Sequence, residues 1–254
     1  HLLERCGVLI VSDGGKDNYG IIDKCQVAAD KYSIPVQILD ANELKDKFGN
    51  MFHITNEMRG ILEPGAGFVR PELAVQYAIE DAMHHGAQMI ENTVVTSIHK
   101  SEERVNNDER DDNLITVETK DGERFLTKGV ILSAGAWASK LVPEWEEHLT
   151  VTRQIQAWYE TKGVENDAQI MDHNTTFPGW YLDRAEDETP IYGIPADPLS
   201  SDRPMQAKIA LHGRKDPFDP DQEVRPDVTE DELQELRDTV QDWIPALSPS
   251  LDIT

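Results

Sequence analysis

With 254 residues, 39% of them hydrophobic, the chain is long enough for one large domain or two smaller ones, and its composition is that of neither a disordered nor a membrane protein. No apolar run approaches the roughly 20 residues that cross a bilayer. The 48 acids and 24 bases leave a formal net charge of -24, a field that repels nucleic acid and anionic lipid, so neither is expected as a partner. Self-repulsion on this scale is tolerated where salt screens it. The expected location is cytoplasmic, in a salt-loving cell or as an ordinary acidic cytosolic enzyme.

No signal peptide is visible, and the opening HLLERCGVLIVS enters an apolar strand almost at once, so the native N-terminus is expected upstream of His1. CGVLIVS (6–12) reads as that strand and DNYGIIDKCQVAADKY (17–32) as an amphipathic helix. VQILDANELKDKF (36–48) predicts a short strand, a cap at Asp40 or Asn42, and a second helix. After RGILEPGAGFVR, Pro71 suits the first turn of a helix with Leu73, Tyr77 and Ile79 on its apolar face and Gly86 just past its end. QMIENTVVTSIHK has strand character, and SEERVNNDERDDN (101–113) reads as a solvated loop. Asp121-Gly122 predicts a hairpin turn, KGVIL a buried strand, and SAGAWASKLV a turn into a short helix.

From about residue 150 the pieces TRQIQAWYE, GWYLDR, PIYGIP and QAKIALHG, punctuated by Pro, Asp and Gly, predict an antiparallel sheet. Thr229 with Glu232 in capping-box register then opens a final helix. Cys6 and Cys25 are too few and too far apart for a zinc framework and are expected to be buried thiols. His84 and His85 point in different directions on a helix, and the DPFDPD loop lacks the Gly and Glu of an EF-hand. No metal is predicted.

Three stretches could carry chemistry. GVILSAGAW (129–137), a strand running into Ala-Gly-Ala before a helix, either lets a ligand approach the backbone closely or is a tight connection of the ordinary α/β kind. In QAKIALHG the alternation of a strand puts Lys208, Ala210 and His212 on one side and Ile209 and Leu211 on the other. A fixed cation and an imidazole there either serve a bound cofactor and substrate or snorkel into water. Trp180, Tyr181 and Tyr192 either wall a small amine or pack a core. No GxGxxG fingerprint follows the first strand, and GAGFVR (65–70) places Arg70 where the third Gly would stand.

The ordered set RGILEPGAGFVRPE, NTVVTSI, ILSAGAWASKL, TRQIQAWYE, FPGWY, IYGIP and KIALH covers nearly the whole chain. It resembles the monomeric sarcosine oxidase and N-methyltryptophan oxidase group of FAD-dependent amine oxidases. The resemblance implies an α/β plus α+β fold: part of a Rossmann-like FAD-binding domain at 67–148, and an antiparallel-sheet substrate domain from 1–66 and 149–254. It places Val95 near the adenosine portion of FAD, and Ser133, Ala134, Gly135 and Trp137 along the FAD cleft. Arg153 and Gln154 match a structural Arg-Gln pair, and Tyr192, with Tyr181, walls the substrate pocket. Lys208 and His212 match the family's Lys-x-x-x-His, the lysine serving oxygen activation and the histidine lying near ring and substrate.

The implied reaction oxidises a secondary amine, such as an N-methyl amino acid, by hydride transfer to flavin, with O2 reduced to H2O2. The implied partners are a small amine and O2, and the protein a monomer or small homo-oligomer. Glycine, D-amino-acid or fructosyl-amino-acid oxidation is the alternative within the architecture, and a non-catalytic remnant the alternative outside it. Tyr181 stands where sarcosine oxidases carry a flexible Met, a departure that weakens the implication for sarcosine itself. The family's GxGxxG turn is expected before His1 and its flavin-tethering Cys after Thr254, so the chain as given is not expected to hold FAD well or turn over.

Overall fold

The computed structural model describes residues 2–14, 20–49, 51–101, 104–106, 109–110, 114–160, 177–184, 189–197, 199–200, 203, 206–213, 217–221, 227–244, 247 and 251–252. The start of the expected 17–32 helix, parts of the 101–113 stretch, Asp216 of DPFDPD and most of LSPSLDIT lie outside the described residues. The chain divides into two compact units: 1–75 with 154–215 and 226–254, and 76–153 with 216–225.

The larger unit contains β1 (Leu3–Glu4), β2 (Val8–Ser12), α1 (Gly20–Tyr32), β3 (Gln37–Leu39), α2 (Ala41–Phe48), β4 (Arg59–Glu63) and β5 (Phe68–Val69), followed by the first turn of α3 (Pro71–His84). The smaller unit holds the rest of α3, then β6 (Val95–Lys100), β7 (Arg104–Asn106), β8 (Glu109–Arg110), β9 (Ile115–Thr119), β10 (Arg124–Thr127) and α4 (Ala138–Leu141). The chain then returns to the larger unit for β11 (Gln156–Glu160), β12 (Gly179–Asp183), β13 (Ile191–Ile194), β14 (Gln206–Leu211), α5 (Glu230–Trp243) and β15 (Leu251–Asp252).

One eight-stranded sheet, ordered β15-β11-β14-β13-β12-β2-β4-β3, organises the larger unit. Every neighbouring pair is antiparallel except β12 and β2, which run parallel. Alternation puts Leu9, Val11, Ala157, Tyr159, Trp180, Leu182, Ile191, Ile209 and Leu211 on one face, all buried. They join a single core with Leu44 and Phe48 of α2, Phe52, Phe177, and Leu236 and Val240 of α5. Asp40 caps α2 and Thr229 caps α5, each in a capping box, so both helices start where the sequence predicts.

Gly193 shows how tightly this face is packed. It pairs with Trp180 across β12 and β13, and a Cβ at Gly193 would fall 2.3 Å from the indole. Only a residue without a side chain lets the Trp180 ring lie across that strand. Trp180 therefore belongs to the core, its ring 5.3 Å from that of Phe52, and it does not share a face with Tyr181 and Tyr192. Of the two readings open for these aromatics, core packing is the one observed for Trp180, while Tyr181 lies on the opposite face because consecutive residues of a strand face opposite sides.

In the smaller unit β10, β9 and β6 form a three-stranded antiparallel sheet, with the Asp121-Gly122 turn joining β9 to β10 and Gly122 at φ +84. Three expectations change here. The stretch 129–132 forms no strand and is not buried: Ile131 is 95% exposed, because no ladder partner lies beside it among the described residues. Helix α3 has its expected bounds, but none of its residues is buried, so Leu73, Tyr77 and Ile79 face no core. Within 101–113, β7 and β8 pair as a short antiparallel ribbon where a loop is expected. A fourth change falls in the larger unit, where Cys6 and Cys25 are half-buried instead of buried, with burial pushing each thiol pKa up.

Candidate functional site

The sheet face opposite the core carries the residues of chemical interest. Lys208, Tyr192 and Tyr181 lie on it half-buried, on the three adjacent strands β14, β13 and β12. Tyr181 pairs with Tyr192, and Tyr192 with Ala210, so these side chains form one row. Lys208 sits one step along β14, paired with Ile194 on one side and Trp158 on the other. Its ammonium is 5.9 Å from the centre of the Tyr192 ring. His212, exposed just beyond the end of β14, donates its backbone N–H to Pro190 O at 2.7 Å. Its imidazole stands edge-on between the two phenols, 5.7 Å from Tyr181 and 5.9 Å from Tyr192. The fold thus brings the Lys208 and His212 of the alternating strand together with Tyr181 and Tyr192.

The electrostatics of this face are unusual for so acidic a chain. Lys208 makes no ion pair among the described residues, and burial holds its amine below the usual lysine range, while the charge of Glu72 partly opposes that shift. Lysines are almost never fully buried without a partner, and even half-burial of an amine with no ion pair costs desolvation. Burial pushes the phenols of Tyr181 and Tyr192 up, the carboxylate of Asp183 adding to the effect at Tyr181, so both remain protonated donors at neutral pH. Beside Lys208, Trp158 is covered by the Arg203 guanidinium, 4.0 Å from its ring centre.

Sequence reasoning missed Arg70, which is buried at 6% exposure. Its Nε donates to Asp197 Oδ2 at 2.5 Å, and its Nη2 to Asp197 Oδ1 at 2.9 Å and Glu4 Oε2 at 3.0 Å. No local pattern announces it, since Asp197 is 127 residues away along the chain. A cavity of about 180 Å³ under α1, lined by Val8, Ile10, Ile61, Cys25 and Glu63 among others, offers only a protonated thiol and one carboxylate as chemical groups.

In the smaller unit, Val95 opens β6, and Ser133 and Ala134 lead into a 3-10 turn over Gly135–Trp137. Gly135 has φ +52, and a Cβ there would meet nothing within 4 Å, so its backbone is open to close approach. Trp137 is 44% exposed and donates from Nε1 to Asp221 Oδ1 at 2.7 Å. Lys140 pairs with Asp219 at 2.6 Å and also with Asp221, hydrogen bonds that raise its pKa and lower theirs. The DPFDPD aspartates that are described are thus held by an ammonium. Among the described residues no cluster of His, Cys, Asp or Glu has the arrangement of a metal site, and no helix is long and apolar enough to cross a membrane.

The family model for FAD dependent oxidoreductases, DAO, matches residues 1–254. The chain belongs to this family. The cofactor of the family is FAD. Among curated relatives, N-methyl-L-tryptophan oxidase of Yersinia pestis (strain Pestoides F) is 28% identical over 195 residues, 77% of this chain and 46% of that protein. The chain therefore spans about half the length of the curated relatives it matches. Solved structures with this fold include NikD, an unusual amino acid oxidase essential for nikkomycin biosynthesis, with a TM-score of 0.64 at 17% identity over 99% of this chain and 58% of NikD. L-proline dehydrogenase from P. horikoshii superposes with a TM-score of 0.67 at 17% identity, over 99% of this chain and 59% of its own. Glycine oxidase from Geobacillus kaustophilus gives 0.63 at 17% identity, with 99% and 58% covered. The expected mixed α/β fold, the family and its cofactor all stand.

Proposed function

We propose that this DAO-family chain provides the substrate-facing sheet, and part of the FAD-binding domain, of an amine oxidase that converts a secondary amine such as an N-methyl amino acid to its imine and reduces O2 to H2O2. The observation that carries the reading is Lys208, a half-buried amine with no ion pair among the described residues, on a face shared with Tyr192, Tyr181 and His212. Such a cation is compensated when an electron-rich group lies against it. FAD fits that requirement, and when bound it supplies the two-electron acceptor.

The chain's own residues then have separate tasks. Tyr181 and Tyr192 wall the amine with ring faces and phenol donors. His212, held between them, orients the amine from an imidazole that needs no carboxylate partner. Lys208 keeps a positive charge where reduction of O2 builds negative charge. On this reading 67–148 contributes to the FAD-binding domain, with Val95, Ser133, Ala134, Gly135 and Trp137 along the cofactor, and 1–66 with 149–254 forms the substrate domain. The exposed apolar residues of the smaller unit, Ile131 among them, support its belonging to a larger layer. The whole protein acts as a monomer or small homo-oligomer in the cytoplasm, with salt screening its acidic surface.

The test is the visible spectrum of the full-length protein, followed by anaerobic mixing with N-methyl amino acids and then with oxygen. A yellow protein bleached by the amine and restored by O2 supports the reading. Lys208→Met is expected to slow restoration far more than bleaching, and equal losses in the two steps would remove the role given to Lys208. A colourless protein that FAD cannot reconstitute would sink the oxidase altogether.

A further inference from the structure

Arg70 and the groups around it connect three parts of the larger unit. Through its backbone N–H, Arg70 donates to Leu2 O at 3.0 Å, extending the pairing of β1 with β5. Through its guanidinium it holds Asp197, itself only 12% exposed, and Glu4. Asp197 then builds the connection that follows β13. Its Oδ1 accepts from Leu199 N at 3.0 Å, and its carbonyl accepts from Ser200 N at 2.9 Å. Ser200 Oγ accepts from Arg203 N at 3.2 Å, and Arg203 O accepts from Gln206 N at 3.3 Å, where β14 begins. Among the described residues, hydrogen bonds at Asp197, Ser200, Arg203 and Gln206 therefore lead from Arg70 to the strand that carries Lys208.

Arg70 also immediately precedes α3. Its carbonyl accepts the helical bond from Ala74 N at 2.9 Å, and Glu72, in that first turn, is the carboxylate whose charge acts on Lys208. Among the described residues, Tyr192 of β13 lies 5.9 Å from the Lys208 ammonium, and Trp158 of β11, paired with Lys208, carries the Arg203 guanidinium over its ring.

We propose that Arg70 is a positioning residue for the candidate site: by clamping Asp197 and Glu4 it fixes the start of α3 and the hydrogen bonds that lead from Asp197 to the head of β14, the strand that carries Lys208. A buried ion pair of this kind is weak evidence for stability and better suited to fixing one arrangement. Its kinetic consequence rests on the oxidase reading above, whereas its geometric consequence does not.

The experiment uses the full-length protein as purified and follows competitive acetylation of Lys208 by acetic anhydride across pH, read by peptide mass spectrometry. Glu72→Gln removes a charge that favours the ammonium, so the titration midpoint of Lys208 moves down. Arg70→Met/Asp197→Leu, which removes the two most buried charges together and leaves Glu4, whose side chain is 28% exposed, to be met by solvent, is expected to move it down as well. Adding Glu72→Gln to that pair should then move it little further, because the carboxylate is already displaced. Arg70→Lys keeps the charge without the fork and should fall between. In turnover, KM for the amine rises about fivefold or more with a smaller change in kcat. A midpoint at its wild-type position in the paired variant, while Glu72→Gln shifts it, overturns the proposal and leaves Arg70 purely structural. If the paired variant does not fold, Arg70→Lys and Asp197→Asn are read in the same way, and an unmoved midpoint in both overturns it. Failure of the oxidase reading would show separately, as a wild-type flavin that amines do not bleach, and the acetylation result would still decide the role of Arg70.

Discussion

The two compact units of this chain contrast sharply in burial. Every member of the hydrophobic core cluster belongs to the larger unit, where one sheet face meets α2 and α5. In the smaller unit the buried residues, among those described, are Thr116 and Thr119, while Phe125, Leu126, Val130, Ile131 and Trp137 are exposed. Both units have antiparallel ladders between their strands, the smaller one with an irregularity between Val95 and Ser97, so hydrogen bonding does not separate them. Burial of apolar area is the dominant stabilising term, and only one unit has it. The same contrast recurs within the larger unit, between a packed face built around Trp180 and an open face built around Lys208.

Two isoleucines test the contrast between units most strongly. Ile209→Ala, at a position with 0% exposure, should cost about 2–5 kcal/mol in chemical denaturation of this chain. Ile131→Ala, at 95% exposure, should change stability by no more than about 0.5 kcal/mol. Equal costs would mean that the smaller unit has a core of its own. Next in size, Gly193→Ala forces a Cβ against the Trp180 indole and should cost about 1–3 kcal/mol, with a change in near-UV circular dichroism from the displaced ring. An unperturbed spectrum would argue that the packed face is looser than drawn.

Asp40→Ala, which removes the cap of α2, should cost about 1 kcal/mol by the same denaturation measurement. The smallest effect concerns the open face. Burial lowers the Lys208 pKa in the folded state below its ordinary value of 10.5, so the unfolded chain binds the proton more tightly. Stability therefore rises as pH increases from the folded pKa towards 10.5, and the cost of the buried charge is present in full below the folded pKa. Lys208→Met should slightly stabilise the protein at neutral pH and lose that advantage towards pH 10.5, and a pH-independent difference would mean that desolvation is not the cause.

Local rules carried much of the fold. The capping boxes at Asp40 and Thr229, Pro71 at the head of α3, Gly122 in its hairpin and the period-two alternation of β14 depend on residues a few positions apart, so the chain states them directly. The candidate site was legible for the same reason: alternation alone puts Lys208 and His212 towards one side, and β12 and β13 then supply Tyr181 and Tyr192. Whether an apolar stretch is buried is another matter. GVIL at 129–132 has the composition of a buried strand and is exposed, because burial requires a partner surface that the stretch cannot specify for itself. Trp180 went to the core because the bare backbone of Gly193 lies opposite it on the neighbouring strand. The Arg70–Asp197 clamp joins residues 127 positions apart, and at Arg70 the sequence showed only a missing glycine. Composition, caps, turns and strand period are properties of neighbours in sequence, whereas packing, desolvation and ion pairing are properties of neighbours in space, and for this protein the tertiary structure alone decided those.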